Sequence, residues 1–113
     1  MIDYGLDSHK LMYHPERVSQ WFKGEDIAPI LVEICPIGIC NHWCVFCAYI
    51  YTDYKGDSLD FDVMRDVLWE LSQMRVKAID WDTEGEPLLH PRLFEMINLA
   101  KSLGIDSAVE TNG

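Results

Sequence analysis

Two kinds of apolar spacing alternate along the chain. Pro29-Ile30-Leu31-Val32-Glu33-Ile34 is a short, mostly apolar run with β-branched residues, as expected of a strand buried on both faces of a parallel sheet. From Ser58 to Met74 the residues Val63, Met64, Val67, Leu68, Leu71 and Met74 recur at helical spacing. Ser58 or Asp60 can cap that helix, and Asp62, Arg65, Asp66 and Glu70 lie mostly outward. Val76-Lys77-Ala78-Ile79-Asp80-Trp81-Asp82 then reads as a second strand. Pro91 to Leu103 returns to helical spacing through Leu93, Met96, Ile97, Ala100 and Leu103, with Gly104 at the stop. Ile105 to Glu110 is a third strand, closed by the turn residues Thr111-Asn112-Gly113.

Ahead of this series, Pro15 to Gly24 predicts a short amphipathic helix. It has proline near its start, Val18, Trp21 and Phe22 as apolar positions, and glycine at its stop. Its expected role is to cover one end of the domain. Residues 1–28 therefore form a leader, and 29–113 a core whose order strand, helix, strand, helix, strand implies parallel crossovers. The third strand has no following helix, and three parallel strands alone leave edges and faces uncovered.

Composition narrows the class. The 113 residues are 49% hydrophobic, which suits a globular domain. A formal net charge of −10 argues against nonspecific nucleic-acid binding, which needs Lys and Arg against phosphates. No apolar run reaches the ~18 residues of a membrane span. The first residues, Met1-Ile2-Asp3-Tyr4, do not resemble a secretion signal, so a cytoplasmic location is expected.

The chemistry concentrates in Cys40-Asn41-His42-Trp43-Cys44-Val45-Phe46-Cys47. Pro36 and Gly38 break the first strand just before it, so the cysteines sit on a loop at a strand's C-terminal end, where α/β folds build their sites. Thiolates are the usual ligands of iron–sulfur clusters, and three in one loop can hold three irons while leaving a fourth open. Structural zinc normally asks for two separated ligand pairs, and no second pair follows. A ferredoxin-like electron carrier needs a fourth cysteine, which only Cys35 could supply; otherwise Cys35 is a small apolar filler or a labile thiol. Trp43, Val45 and Phe46 either surround a cluster with apolar matter or simply pack the loop. His9, His14 and His90 read as surface or capping residues. The acids Asp80, Asp82, Glu84 and Glu86 admit a divalent-cation site, although alternating acids at a strand end are commonly solvated.

The spacing Cys-x3-Cys-x2-Cys, with Phe46 in the aromatic position and Asn41 after the first cysteine, resembles the signature loop of the radical S-adenosylmethionine (SAM) enzymes. Gly85-Glu86-Pro87 resembles that family's Gly-Gly-Glu-Pro motif, with Glu84 standing where the first glycine usually is. Thr111-Asn112-Gly113 resembles its Thr-Asn-Gly turn. Each of these two is by itself only a turn signal.

The resemblance implies a [4Fe-4S] cluster on Cys40, Cys44 and Cys47, with S-adenosyl-L-methionine on its open iron. It further implies cofactor contacts from Phe46, Gly85, Glu86, Pro87 and Asn112. The implied fold is the N-terminal half of a partial (β/α)6 TIM-like barrel, truncated after the third strand. The implied reaction is reductive cleavage of S-adenosylmethionine to a 5′-deoxyadenosyl radical that abstracts hydrogen. Implied partners are a peptide or small-metabolite substrate and a reductant such as a flavodoxin or ferredoxin. The alternatives are a truncated, inactive iron–sulfur fragment, or an electron-transfer or zinc-binding module without radical chemistry, the zinc site completed by Cys35 and His42.

Overall fold

The computed structural model describes residues 10–113 except Asp53, Lys55 and Thr83, with only the backbone of Lys10. The N-terminal residues through His9, and Thr83, lie outside the described residues. Helix α1 spans Pro15–Phe22, strand β1 Leu31–Ile34, helix α2 Phe61–Gln73, strand β2 Ala78–Trp81, helix α3 Leu93–Ser102 and strand β3 Asp106–Val109. All three strands are parallel in the order β1-β2-β3, so the α/β architecture expected from the periodicity is present. Strand β1 starts two residues inside its apolar run and ends with it at Ile34, while β2 and β3 are one or two residues shorter at each end. No helix among the described residues is long and apolar enough to cross a membrane.

The register sets the two sheet faces apart. Val32, Ile79 and Ser107 align, as do Ile34, Trp81 and Val109, and alternation puts these rows on one face. Ile79 and Trp81 are fully buried there, against Met64, Leu68 and Leu71 of α2 and Leu93, Met96 and Ala100 of α3. The opposite face carries Leu31, Glu33, Ala78, Asp80 and Ala108. Leu31 is 49% exposed and Glu33 is exposed, which corrects the expectation that β1 is buried on both faces. Among the described residues, helices cover one face; in a barrel the other is filled by side chains from facing strands, and three strands do not close.

Local sequence explains the helix limits. Asp60 is the cap of α2, its carboxylate accepting from the backbone N–H of Asp62 (2.8 Å) and Val63 (3.2 Å). After α2, Arg75 takes a left-handed φ of 59°, where α3 has Gly104 at 79°. Val63, Val67 and Met74, expected in the apolar stripe of α2, are exposed, because only the Met64, Leu68 and Leu71 line meets the sheet and α3.

Helix α1 forms where its proline start predicts, yet none of its residues is buried, with Trp21 61% and Phe22 78% exposed. It is tethered by Arg17, whose guanidinium donates to the carbonyls of Ala28, Pro29 and Arg75. The helix sits at one end of the strands, beside Ile30, Arg75 and Lys77, but a polar fork holds it there and its large apolar side chains face outward.

Leu68→Ala is expected to lower stability by about 2–5 kcal/mol, since it empties a fully buried position. Val63→Ala should stay within about 0.5 kcal/mol. Urea unfolding midpoints of the two variants check the assignment of the core face of α2.

Candidate active site

The cysteine loop leaves the C-terminal end of β1 and returns to the start of α2 through a narrow neck. Ile37 and Ser58 form an antiparallel bridge, Gly38 N–H donates to Asp57 (2.8 Å), and Leu59 N–H donates to Pro36 (2.9 Å). Gly56 sits in this neck with φ of 69°, and a Cβ there would overlap the Gly38 carbonyl. The neck makes the loop a closed excursion, so its cysteines are held near the strand end.

Within the loop Cys47 N–H donates to the Cys44 carbonyl (2.9 Å), a turn that keeps these two residues adjacent. Cys40 is exposed, and Cys44 and Cys47 are half-buried. The Cys40 sulfur accepts from His42 N–H (3.4 Å) and from the Asn112 side-chain amide (3.6 Å). Among the described residues no three Cys, His, Asp or Glu side chains converge closely enough to hold a single metal ion. A cluster takes each thiolate on a different iron, and three sulfurs on one accessible loop, with amide donors at Cys40, fit that donor requirement. The Cys35 thiol donates to the Ile37 carbonyl (3.4 Å).

The motif after β2 is built against this loop. Glu86 N–H donates to the Ile39 carbonyl (2.9 Å), and a Cβ on Gly85 would overlap the Ile37 carbonyl oxygen, so only glycine allows the approach. The Glu86 side chain is 3% exposed. Its carboxylate accepts from the Thr111 hydroxyl (2.7 Å), Asn112 N–H (2.7 Å) and Leu88 N–H (3.0 Å). Burial alone pushes this carboxyl up, but the donors at Asn112, Thr111 and Leu88 outweigh it, with help from His42, and hold it below the ordinary value. Asn112 in turn donates to Asn41 Oδ1 (3.0 Å), so the turn after β3 reaches the first cysteine.

A cleft of about 230 Å³ opens beside the loop, lined by Cys40, His42, Trp43, Cys47, Tyr49, Tyr54 and Glu84 among others. A larger one of about 480 Å³ lies at the opposite end of the strands, against α1, Ile30 and Lys77, away from the cysteines. The smaller cleft is the chemically relevant one, because Cys40 and Cys47 line it, whereas Cys44 is not among its lining residues.

Of the residues singled out from sequence, Cys40 and Cys47 line the cleft, and Asn112, Glu86 and Gly85 are packed onto the loop beside it. Pro87 is buried at the start of the short 3-10 turn Pro87–Leu89. Phe46 is 87% exposed and does not line the cleft; Trp43 and Val45 are 80% and 83% exposed, so these three do not pack the loop. His90 is a capping residue, as expected, but buried rather than superficial: it closes the turn Pro87–Leu89, its Nδ1 accepts from Arg92 N–H (3.1 Å) and Nε2 meets the Leu59 carbonyl (2.9 Å). The four acids do not act together, since Glu86 faces the β3 turn and Glu84 accepts from the Tyr54 hydroxyl (3.0 Å). Asp82 and Asp80 instead push the Glu110 carboxyl up. Tyr49 and Tyr54 were not foreseen as cleft residues; their only signal was an aromatic density in a stretch without periodicity.

A protein-family model described as the Radical SAM superfamily matches residues 34–113. The chain belongs to the radical SAM superfamily. Its similarity to named members is partial. It is 34% identical over 84 residues to the GTP 3′,8-cyclase of Chlorobaculum tepidum, covering 73% of this chain and 25% of that protein. It is 28% identical over 75 residues to the tungsten-containing aldehyde ferredoxin oxidoreductase cofactor-modifying protein of Pyrococcus furiosus, covering 66% of this chain and 21% of that protein. This radical SAM chain thus spans a quarter or less of the length of those relatives. The crystal structure of BtrN in complex with AdoMet and 2-DOIA superposes with a TM-score of 0.68 at 24% identity, over 78% of this chain and 37% of that one. BtrN in an open conformation gives 0.65 over 78% and 41%. The shared fold is the partial TIM-like barrel of the superfamily.

Glu86→Gln is expected to cost about 1.5–3 kcal/mol at neutral pH, because charged hydrogen bonds to three donors are weakened. The folded carboxyl sits below the unfolded value of about 4.3, so its stabilisation is complete above that value and lost as pH falls through the lower folded one. Denaturation curves of the wild type and the variant should therefore converge in acid; a gap independent of pH would contradict this role.

Proposed function

We propose that the chain is the cofactor-binding part of a radical SAM enzyme, holding a [4Fe-4S] cluster on Cys40, Cys44 and Cys47 and S-adenosylmethionine in the adjoining cleft. The observation that carries this reading is the meeting of three separated motifs: the Cys40 sulfur and Asn41 both face Asn112, and Asn112 hangs from Glu86. When bound and reduced, the cluster supplies the electron that splits S-adenosylmethionine into methionine and a hydrogen-abstracting 5′-deoxyadenosyl radical.

The chain's own residues bind and orient. The Cys44–Cys47 turn sets two thiolates in register, and the amides near Cys40 donate toward its sulfur. Gly85 and Pro87 shape the turn that would hold S-adenosylmethionine against the cysteine loop. Asn112 and Phe46 would contact the bound cofactor, Phe46 from an exposed position on the loop. Glu86 acts through Asn112 and Thr111 as a positioning residue. The leader, residues 1–28, precedes this core of residues 29–113.

The substrate is a peptide or small metabolite, the electron donor a flavodoxin or ferredoxin, and the setting the reducing cytoplasm that keeps thiolates available. The net charge of −10 disfavours a nucleic-acid partner.

Anaerobic reconstitution with iron and sulfide, followed by electron paramagnetic resonance of the reduced protein, tests the reading. Saturating S-adenosylmethionine should alter the signal, and an unchanged signal overturns it. Cys40→Ser, Cys44→Ser and Cys47→Ser should each lose most of the bound iron while Cys35→Ser retains it; iron loss in Cys35→Ser would favour a four-cysteine electron carrier.

A further inference from the structure

Glu84 occupies the position where the family motif usually has glycine, and the fold turns that departure into a feature of the cleft. Packing of Gly85 against the Ile37 carbonyl brings residue 84 to the cysteine loop, and the Glu84 side chain lines the cleft with Cys40 and Cys47. Its carboxylate is anchored by the Tyr54 hydroxyl at 3.0 Å. Tyr54 is in turn paired with Tyr49, with ring centroids 5.6 Å apart and planes tilted by 46°. Trp43 adds a third aromatic ring to the lining, and among the described lining residues Glu84 is the only carboxylate and there is no Lys or Arg.

A carboxylate amid aromatic rings suits a cation that has charge but no hydrogen to donate. Such a centre cannot be read by hydrogen bonds, and is held by a negative neighbour and by the negative faces of rings, as quaternary ammonium groups are. A sulfonium is of this kind. We propose that Glu84, positioned by Tyr54 and flanked by Tyr49 and Trp43, recognises the sulfonium charge of S-adenosylmethionine and so selects the intact cofactor over its uncharged thioether counterpart. The inference rests on the functional reading above and assigns a specificity role to a side chain that the usual motif lacks.

The test compares binding of S-adenosylmethionine with that of S-adenosylhomocysteine, which carries a neutral thioether in place of the sulfonium. Isothermal titration of the reconstituted full chain supplies both affinities, and the resonance signal without ligand reports cluster integrity. Glu84→Gln keeps the size and an oxygen acceptor for Tyr54 while removing the charge. It should weaken S-adenosylmethionine about tenfold, as loss of a nearby opposite charge does, with S-adenosylhomocysteine nearly unchanged and the ligand-free signal preserved. Glu84→Asp, which keeps the charge, should retain most of the preference, and Tyr54→Phe, which frees the carboxylate, should lose part of it. If Glu84→Gln does not assemble a cluster, Tyr54→Phe decides: an unaltered preference there overturns the proposal. Equal weakening of both ligands, or none, in Glu84→Gln overturns the role of Glu84 while leaving the cofactor reading intact. A wild-type chain that assembles no cluster, or whose signal ignores S-adenosylmethionine, overturns that reading and this inference together.

Discussion

The buried carboxylate of Glu86 is the interaction on which the site's arrangement depends. Its two oxygens take a hydroxyl and two backbone N–H groups from Thr111, Asn112 and Leu88. A charge out of water is tolerated only with such partners, so the turns after β2 and β3 must sit where they do. Glu86 N–H, bonded to Ile39, ties the same residue to the cysteine loop. One residue thereby links the C-terminal ends of all three strands.

The cysteine loop illustrates how backbone packing substitutes for a hydrophobic core. Its apolar side chains Trp43, Val45 and Phe46 are exposed, and the order comes from the neck between residues 36–38 and 57–59 and from glycines that let main chains touch. The real core lies on the other side, where Ile79 and Trp81 meet α2 and α3. Packing energy is thus spent away from the site, and the site itself is left open, as ligand chemistry at strand ends requires.

Much of the architecture was legible because its causes are local. Helical spacing through Met64, Leu68 and Leu71, the Asp60 cap and the Gly104 stop are properties of neighbouring residues, and the helices begin and end close to where these signals stand. Burial was less legible. Val63 and Val67 look like core residues by type, but they fall beside the narrow line that meets the sheet. Arg75 carries a left-handed backbone that its side chain does not announce. At β1, composition indicated two buried faces, whereas the exposure of Leu31 follows from how many strands and helices surround the sheet.

By itself the sequence determined the superfamily and the order of its elements, because cysteine spacing and the two apolar periods survive in one dimension. Only the tertiary structure decided what the acids do. Glu84 and Glu86, two residues apart, take different roles: one opens onto an aromatic cleft, and the other is consumed in joining two turns. The reason is that their partners are remote in the chain, Tyr54 by 30 residues, Thr111 by 25 and Asn112 by 26, while Asn112 reaches Cys40 across 72. Contacts over such separations are set by the parallel register of the sheet, which aligns the strand ends, and no local pattern encodes them.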